Sequence, residues 1–288
     1  MVAINSRKIK DCITRFLIYM CASFSVVLLV GIITYVLIKG LPYVSLSFLI
    51  SVTSVLKGTV GIAGNIVNTI LIILLTMIVA LPIGVGSAIY LNEYAKLGKI
   101  VTIIEYATET LAGIPSIIFG LFGMMFFGEG LSFGYSLITG ALTLIIMVLP
   151  LITRNTQEAL KTVPDSYRTG AIGLGSGKWH MIRTILIPSA MPGIITGMVL
   201  AIGRIVGESA ALLFTAGSAK LLPVGIEGLL NKPFQSGGTL TIQMYLSATS
   251  EGDFDTAFAI AVVLLIIVLA INLLTKVITK HFDVTRKE

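Results

Sequence analysis

Two charged residues stand inside an apolar stretch, and their spacing suggests anion chemistry. Arg204 and Glu208 are four positions apart within the predicted helix Ser189–Leu213, so they are expected to share one helix face. Each charge costs about 2.5–3.5 kcal/mol to place inside a membrane span. The planar guanidinium of arginine offers several donors that match the oxygens of an oxyanion. We therefore expect Arg204 to contact an anion, with Glu208 holding it in place; an ion pair that only fixes helix packing is the alternative.

The small residues of the same stretch fall on the charged side. A helical wheel groups Gly197 and Ala201 with Arg204 and Glu208, and this half is expected to face protein or a water-filled path. Arg204 would lie roughly 22 Å from the cytoplasmic end, somewhat past the midplane. Glu109, near the start of the third predicted span, is a second candidate for the path, and an interfacial carboxylate is the alternative.

The stretch GLGSGKW, residues 173–179, looks like the end of a phosphate-binding P-loop. That motif requires a first glycine where this sequence has Ile172, and a Ser or Thr where it has Trp179. No strand is predicted before it, and no acidic partner for a magnesium ion is evident. We expect no ATP, magnesium or other cofactor to be bound by this chain.

The composition explains what kind of protein must hold these residues. The chain has 288 residues, of which 56% are hydrophobic and 12% charged, whereas a soluble domain carries about 25% charge. A polytopic membrane protein is therefore expected. Its two histidines, His180 and His281, are both predicted to be cytoplasmic, which argues against an enzyme with an intramembrane site. Cys12 and Cys21 fit no metal or redox spacing and are expected to be free thiols.

Six stretches are long and apolar enough to cross the membrane as helices, so the predicted fold class is an all-α polytopic membrane protein. They are Phe16–Ile38, Ile66–Tyr90, Tyr106–Phe127, Ser136–Thr153, Ser189–Leu213 and Ala257–Thr279. Pro82, Pro115 and Pro150 lie in or beside these spans and are predicted kinks. Asn65 and Asn68 are expected to cap the second span or to form hydrogen bonds across helices.

The basic residues are distributed unequally between the two sides of these spans. Fifteen of the 20 Lys and Arg residues fall on one side, four on the other, and Arg204 lies within a span. The positive-inside rule then puts both termini in the cytoplasm. The predicted organisation is a cytoplasmic tail 1–15, a single permease domain 16–280 and a cytoplasmic tail 281–288. Within the domain, 155–188 forms a cytoplasmic loop and 214–256 an external loop.

The cytoplasmic loop resembles the EAA loop through which permeases of ABC importers contact their ATPase. Ala171 matches the last Ala of that motif, Gly175 its Gly, and Ile185, Ile187 and Pro188 its Ile-x-Leu-Pro. Thr169 and Gly170 stand where Glu and Ala are usual. The loop is predicted to form two short helices around a glycine turn. Its expected contact residues are Thr169, Gly170, Ala171, Gly175, Gly177, Lys178, Trp179, Ile185 and Pro188.

Four segments, one of them within this loop, resemble permeases of phosphate-specific ABC importers, and the last of the four resembles the A-type subunit. They are LPIGVGSAIYLNEYA (81–95), LAGIPSIIFGLFG (111–123), VPDSYRTGAIGLGSGKW (163–179) and GRIVGESAALLFTAG (203–217), the last followed by LPVGI (222–226). The resemblance implies the type I importer fold and an anion path through Arg204 and Glu208. It also implies four kinds of partner: membrane lipid, a second permease subunit of the C type, a dimeric ATPase that holds ATP and magnesium, and an extracytoplasmic phosphate-binding protein.

The sequence therefore predicts a non-enzymatic permease subunit of a phosphate importer, a multi-pass protein of a prokaryotic plasma (inner) membrane. The basic charge is assigned to membrane topology, and no nucleic acid is expected as a partner. An importer of another oxyanion or of methionine is the alternative within transport. A phosphate-sensing regulatory scaffold for a sensor kinase is the alternative of another class.

Overall fold

The computed structural model describes residues 2–54, 59–95, 98–223 and 225–282, and places side chains for most of them. Helices dominate these ranges, which confirms the predicted fold class. The α-helices are α1 (Val2–Gly40), α2 (Leu46–Ile50), α3 (Ala63–Ile89), α4 (Lys99–Ala112), α5 (Ser116–Gly123), α6 (Leu137–Lys161), α7 (Asp165–Gly173), α8 (Lys178–Met181), α9 (Ile187–Val206), α10 (Ala210–Thr215), α11 (Gly225–Asn231), α12 (Leu240–Thr249) and α13 (Phe254–Phe282). Strands β1 (Val52–Ser54) and β2 (Thr59–Ile62) form a small antiparallel pair.

Within the described ranges, five helical stretches are long and apolar enough to cross a membrane. They are Lys10–Tyr43, Ala63–Tyr94, Leu137–Lys161, Lys178–Val206 and Phe254–Val277. Each overlaps one of the predicted spans, although the helices extend further than the apolar runs. The reason is that a helix continues into the polar residues beyond the hydrocarbon layer: α1 already begins at Val2, within the segment predicted as a tail.

The third predicted span is a bent pair of helices. Lys99–Ala112 and Ser116–Gly130 meet at an angle of 100°. The break lies at Pro115, which has no N–H for a helical hydrogen bond and disfavours helical geometry in the residue before it. The kink predicted at Pro115 is therefore confirmed, and the third predicted span, Tyr106–Phe127, is broken at that residue. Pro82 and Pro150, by contrast, lie within the continuous helices α3 and α6.

The fifth span also differs from its prediction, and the difference changes its charged face. The predicted helix Ser189–Leu213 is interrupted: α9 ends at Val206, and the short helix α10 begins at Ala210. Gly207 closes α9, and its N–H still donates to the carbonyl of Gly203. Because the helix stops between Arg204 and Glu208, the face-sharing expected from their spacing does not apply.

Helices α3, α6 and α9 form the centre of the bundle. Their packing is close because small residues lie at the crossings: a Cβ added to Gly84 of α3 would come within 2.6 Å of Ile152 of α6. Gly193 and Gly197 of α9 approach Ala159 and Asn155 in the same way. Helices α5 and α10 complete the central core, which places the break near Glu208 inside the protein.

Part of the segment predicted as an external loop is a buried element. Helix α12 lies within 214–256, and its first residues Leu240 and Ile242 are fully buried. Asn65 and Asn68 at the start of α3 both donate to the carbonyl of Gly238. They therefore form hydrogen bonds to a distant segment, as predicted, but the acceptor lies in the loop before α12 and not in a helix. The predicted boundaries of this segment and the side of the membrane that it faces stay predictions.

A polar cluster closes the far end of the same segment. Lys220 Nζ donates to Glu251 Oε1 at 3.1 Å, and Ser247 Oγ donates to Glu251 Oε2 at 2.9 Å. Burial by itself raises the pKa of Glu251, but the hydrogen bonds from Ser247, Lys220 and Gln243, together with the Lys220 charge, lower that pKa below its ordinary value. The cluster therefore keeps a charged carboxylate at the junction of α12 and α13.

Candidate functional site

A polar cavity of about 510 Å³ opens beside the bend between α4 and α5. Its wall is formed by α4, α5, α6, α9 and the π-helical turn Tyr90–Tyr94 that follows α3 and supplies Leu91. Along α6 it extends from Met147 to Lys161, a length of roughly 21 Å at the helical rise. The cavity thus runs from the inside of the bundle to the end of α6, next to the segment that resembles the EAA loop.

Six ionisable side chains line this cavity, and four of them form pairs. Arg154 Nη1 lies 3.4 Å from Glu109 Oε1, and Lys161 Nζ lies 3.4 Å from Glu158 Oε1. Both pairs are more than half exposed, so each contributes at most about 1 kcal/mol to stability. Such weak pairs can open when a solute enters the cavity.

Arg204 has a different position from the other two cations of the cavity. It lies in the last turn of α9, its side chain is exposed to the cavity, and it makes no ion pair with any residue that the structure describes. Glu105, also at the wall, is the remaining carboxylate. Arg204 is thus a cation inside the bundle with its donors available, whereas the other two cations of the wall are each paired with a carboxylate.

Glu208 is turned away from Arg204 and has a local structural role. Its side chain is buried, and Oε1 accepts a hydrogen bond from the backbone N–H of Ala211 at 3.1 Å. Its own carbonyl accepts one from Thr241 Oγ1 of α12 at 2.9 Å. The expected Arg204–Glu208 ion pair is therefore absent from the described residues, because α9 ends between them. Glu208 instead supplies a hydrogen-bond acceptor for a backbone N–H in the first turn of α10.

Glu109 does lie at the cavity wall, as expected for a path residue, and it faces Arg154 of α6 across the cavity. From the sequence alone, Arg154 is only one of the basic residues on the side predicted to be cytoplasmic. The sequence signal that could have located Arg154 is its position one turn beyond Pro150. If the helix extends past its apolar run, Arg154 lies on the inner face of that helix.

The segment that resembles the EAA loop has the predicted form of two short helices around a glycine turn. Helix α7 ends at Gly173 and α8 begins at Lys178. Gly175 has φ +81°, a left-handed conformation that residues with a side chain rarely adopt. The N–H of Ser176 donates to the carbonyl of Ala171, which closes the turn.

The predicted contact residues of this segment separate into an exposed and a buried set. Leu174 at the tip is 91% exposed and Trp179 is 60% exposed. Thr169, Gly170, Gly175, Gly177 and Lys178 are also exposed, whereas Ala171 is buried and Ile185 and Pro188 are partly buried. Met181 and Ile182 are buried at the base of the segment. The surface available to a partner is therefore the tip and the outer face.

Membrane-length helices, a cavity lined by charged residues and an exposed segment of two short helices around a glycine turn are the features of a membrane permease. Residues 80–287 match the family model described as "Binding-protein-dependent transport system inner membrane component". The chain belongs to this family, and it is a permease subunit of the ABC importer class.

Individual relatives agree with this assignment along the chain. It is 36% identical over 279 residues to the "Probable ABC transporter permease protein YqgI" of Bacillus subtilis, covering 93% of this chain and 94% of that protein. It is 34% identical over 230 residues to the "Phosphate transport system permease protein PstA 2" of Mycobacterium bovis, covering 78% and 74%.

A solved structure shares the fold. The structure of a bacterial alginate ABC transporter, in complex with its alginate pentasaccharide-bound periplasmic protein, aligns with a TM-score of 0.67 at 14% identity. The alignment covers 96% of this chain and 98% of that chain. At this identity the likeness concerns the fold alone, and it supports the type I importer architecture.

Proposed function

We propose that this chain is the permease subunit of an ATP-driven phosphate importer and forms half of its translocation path. The observation that carries the proposal is Arg204, an arginine inside the bundle that is exposed to the cavity and has no ion-pair partner among the described residues. The phosphate-permease name of one relative and the four resembling sequence segments support phosphate as the cargo.

The chemistry of the cavity suits weak, passing binding of an oxyanion. Arg204 presents a planar set of donors to phosphate oxygens, while Glu105 and the paired carboxylates limit the positive field. A volume of about 510 Å³ exceeds what one phosphate fills, so the ion enters with water. Arg154 becomes a second donor when its pair with Glu109 opens. Glu208 contributes to this path by holding the α9–α10 break.

The proposal includes the partners that such a path requires. A second, C-type permease subunit supplies the other half of the path, and an ATPase dimer binds ATP and magnesium and contacts the exposed tip of α7–α8. An extracytoplasmic phosphate-binding protein delivers the solute from outside. The assembly lies in the inner membrane of a prokaryote, with both termini of this chain in the cytoplasm.

The test is ATP-dependent uptake of radiolabelled phosphate into vesicles that contain the assembled importer. Arg204→Ala is expected to lower uptake at least tenfold with assembly unchanged, because the cavity loses its unpaired cation. Arg204→Lys keeps the charge but loses the planar set of donors. Its phosphate uptake should therefore lie between that of the wild type and that of Arg204→Ala. Arg15→Ala serves as the matched control, since Arg15 is exposed on α1 and no described residue of α1 lines the cavity.

Each result has a definite meaning. Normal uptake by Arg204→Ala would overturn the assignment of Arg204 to the path. If the wild type takes up sulfate, another oxyanion or methionine but no phosphate, the chain is still a permease subunit, and the proposed cargo is wrong. A variant that loses transport while a phosphate-responsive sensor kinase still responds normally would add the regulatory role.

A further inference from the structure

We infer that the ion pair between Glu93 and Arg168 is the joint that transmits movement of the ATPase-contact segment to the wall of the central cavity. This inference rests on the proposed function, because it assigns a route by which ATP-driven movement reaches the solute path. Glu93 and Arg168 are positioning residues in this scheme: neither touches solute or nucleotide.

Arg168 is the most extensively bonded side chain of the contact segment. Its Nη2 and Nε donate to Glu93 Oε1 at 2.9 and 3.3 Å. The same guanidinium donates to the carbonyls of Leu160 at 3.0 Å and Val163 at 2.9 Å, at and just beyond the end of α6. One residue of α7 is therefore bonded at once to the ends of two long helices.

Burial separates this pair from the ion pairs described above. The side chain of Glu93 is 5% exposed and that of Arg168 is 18% exposed, whereas both members of the cavity pairs are more than half exposed. A pair withdrawn from water is screened little, and breaking it leaves a buried charge without its partner. The Glu93–Arg168 contact is therefore expected to persist while the segment moves.

The element that holds Glu93 also belongs to the cavity. Glu93 lies in the π-helical turn Tyr90–Tyr94 that continues α3, and Leu91 of the same turn lines the cavity wall. On the other side of the joint, Leu160 adjoins Glu158 and Lys161, which line the cavity where α6 ends. A displacement of α7 that Arg168 transmits to either helix end must therefore move part of the wall.

A second contact joins the same turn to α8. Lys178 Nζ lies 4.8 Å from the ring centroid of Tyr94, within the range of a cation–π interaction. Both short helices of the contact segment are thus attached to Tyr90–Tyr94, α7 through a buried ion pair and α8 through an exposed cation. This arrangement favours movement of α7, α8 and the end of α3 as one body.

The chain offers a matched control within the same arginine. Arg168 Nη1 also lies 3.0 Å from Asp165 Oδ1, but the Asp165 side chain is 91% exposed. Glu93→Gln and Asp165→Asn each remove one carboxylate charge from Arg168 while leaving a side chain of equal size that still accepts a hydrogen bond. They differ in whether the lost charge lies at the joint or in solvent.

The first experiment measures phosphate taken up per ATP hydrolysed by the assembled importer in vesicles. Glu93→Gln is expected to retain assembly and ATP hydrolysis within about twofold but to lower this ratio about tenfold, within the range of coupling between distant sites. Asp165→Asn is expected to stay within about twofold of wild type. Equal ratios in both variants would overturn the proposal, as would a Glu93→Gln variant whose hydrolysis and uptake fall in proportion.

The second experiment does not depend on the cargo. Hydrogen exchange of the α7 amides, measured on the assembled complex, should be faster in Glu93→Gln than in Asp165→Asn, because α7 is released from the end of α3. Equal exchange in the two variants would refute the joint. If the wild type takes up no phosphate, the proposed cargo fails, and the exchange result still decides whether the joint exists.

Discussion

Arg204 and Glu208 illustrate how a single residue between two charges changes what each can do. Their spacing of four positions predicts a shared face only in a continuous helix, and Gly207 ends α9 between them. Arg204 therefore opens onto the cavity, while Glu208 turns into the protein and accepts from the N–H of Ala211. In the proposed path, Arg204 offers a set of donors to the solute, and Glu208 fixes the backbone around the same region.

The role of Glu208 can be tested by separating its charge from its hydrogen bond. Glu208→Gln keeps an oxygen that accepts from Ala211, so we expect near-normal stability and uptake. Glu208→Ala leaves that buried N–H without its acceptor, at a cost of about 1–3 kcal/mol, and should lower both the apparent melting temperature in detergent and phosphate uptake. If Glu208→Gln were as defective as Glu208→Ala, the charge would be required and Glu208 would belong to the path directly.

At the scale of secondary-structure elements, the sequence predicted which segments are helical but not where they bend or stop. The apolar runs were sufficient to predict the spans, and Pro115 was sufficient to predict one kink. The break at Gly207–Ser209 was missed because its stabilising partner, Thr241, lies 33 positions away in a segment predicted as loop. Helix α12 was missed for the same kind of reason, since its burial depends on contacts with α3 and α13 that no local pattern reveals.

The short helices α5 and α10 pack closely at one glycine, and this contact holds the broken part of the fifth span in place. A Cβ added at Gly120 would lie 2.7 Å from Cα of Ala211 and 3.0 Å from its carbonyl oxygen. Backbone atoms cannot move aside cheaply, so Gly120→Ala is expected to force the two helices apart at a cost of about 1–3 kcal/mol. The predicted result is a lower apparent melting temperature of the purified chain.

Gly86→Ala is the matched control for this prediction, because Gly86 lies within α3 and an added Cβ there meets nothing within 4 Å. Alanine also favours a helix over glycine, so this variant should melt at the wild-type temperature or above it. Equal melting temperatures for Gly120→Ala and the wild type would mean that α5 and α10 can separate freely.

For the whole molecule, the fold and the distribution of basic residues together predict one orientation of the chain in the membrane. The cavity extends to the end of α6, where Lys161 lies in its wall and Arg168 of α7 donates to the carbonyl of Leu160. The positive-inside rule predicts that this end lies in the cytoplasm, where the proposed partner ATPase would be found. The fold class followed from composition and periodicity, whereas the cavity did not, because it depends on how the α4–α5 bend packs against α6.

The orientation can be measured with the native thiols of the chain. Cys12 is exposed on α1, in the basic segment predicted to be cytoplasmic, and Leu230 on α11 is 70% exposed in the segment predicted to be external. In a Cys21→Ser background, a membrane-impermeant maleimide should label Cys12 only after the cells are permeabilised. In a chain without Cys12 and Cys21, it should label Leu230→Cys in intact cells. The opposite pattern would invert the topology, place α7 and α8 outside, and remove the physical basis for their contact with an ATPase.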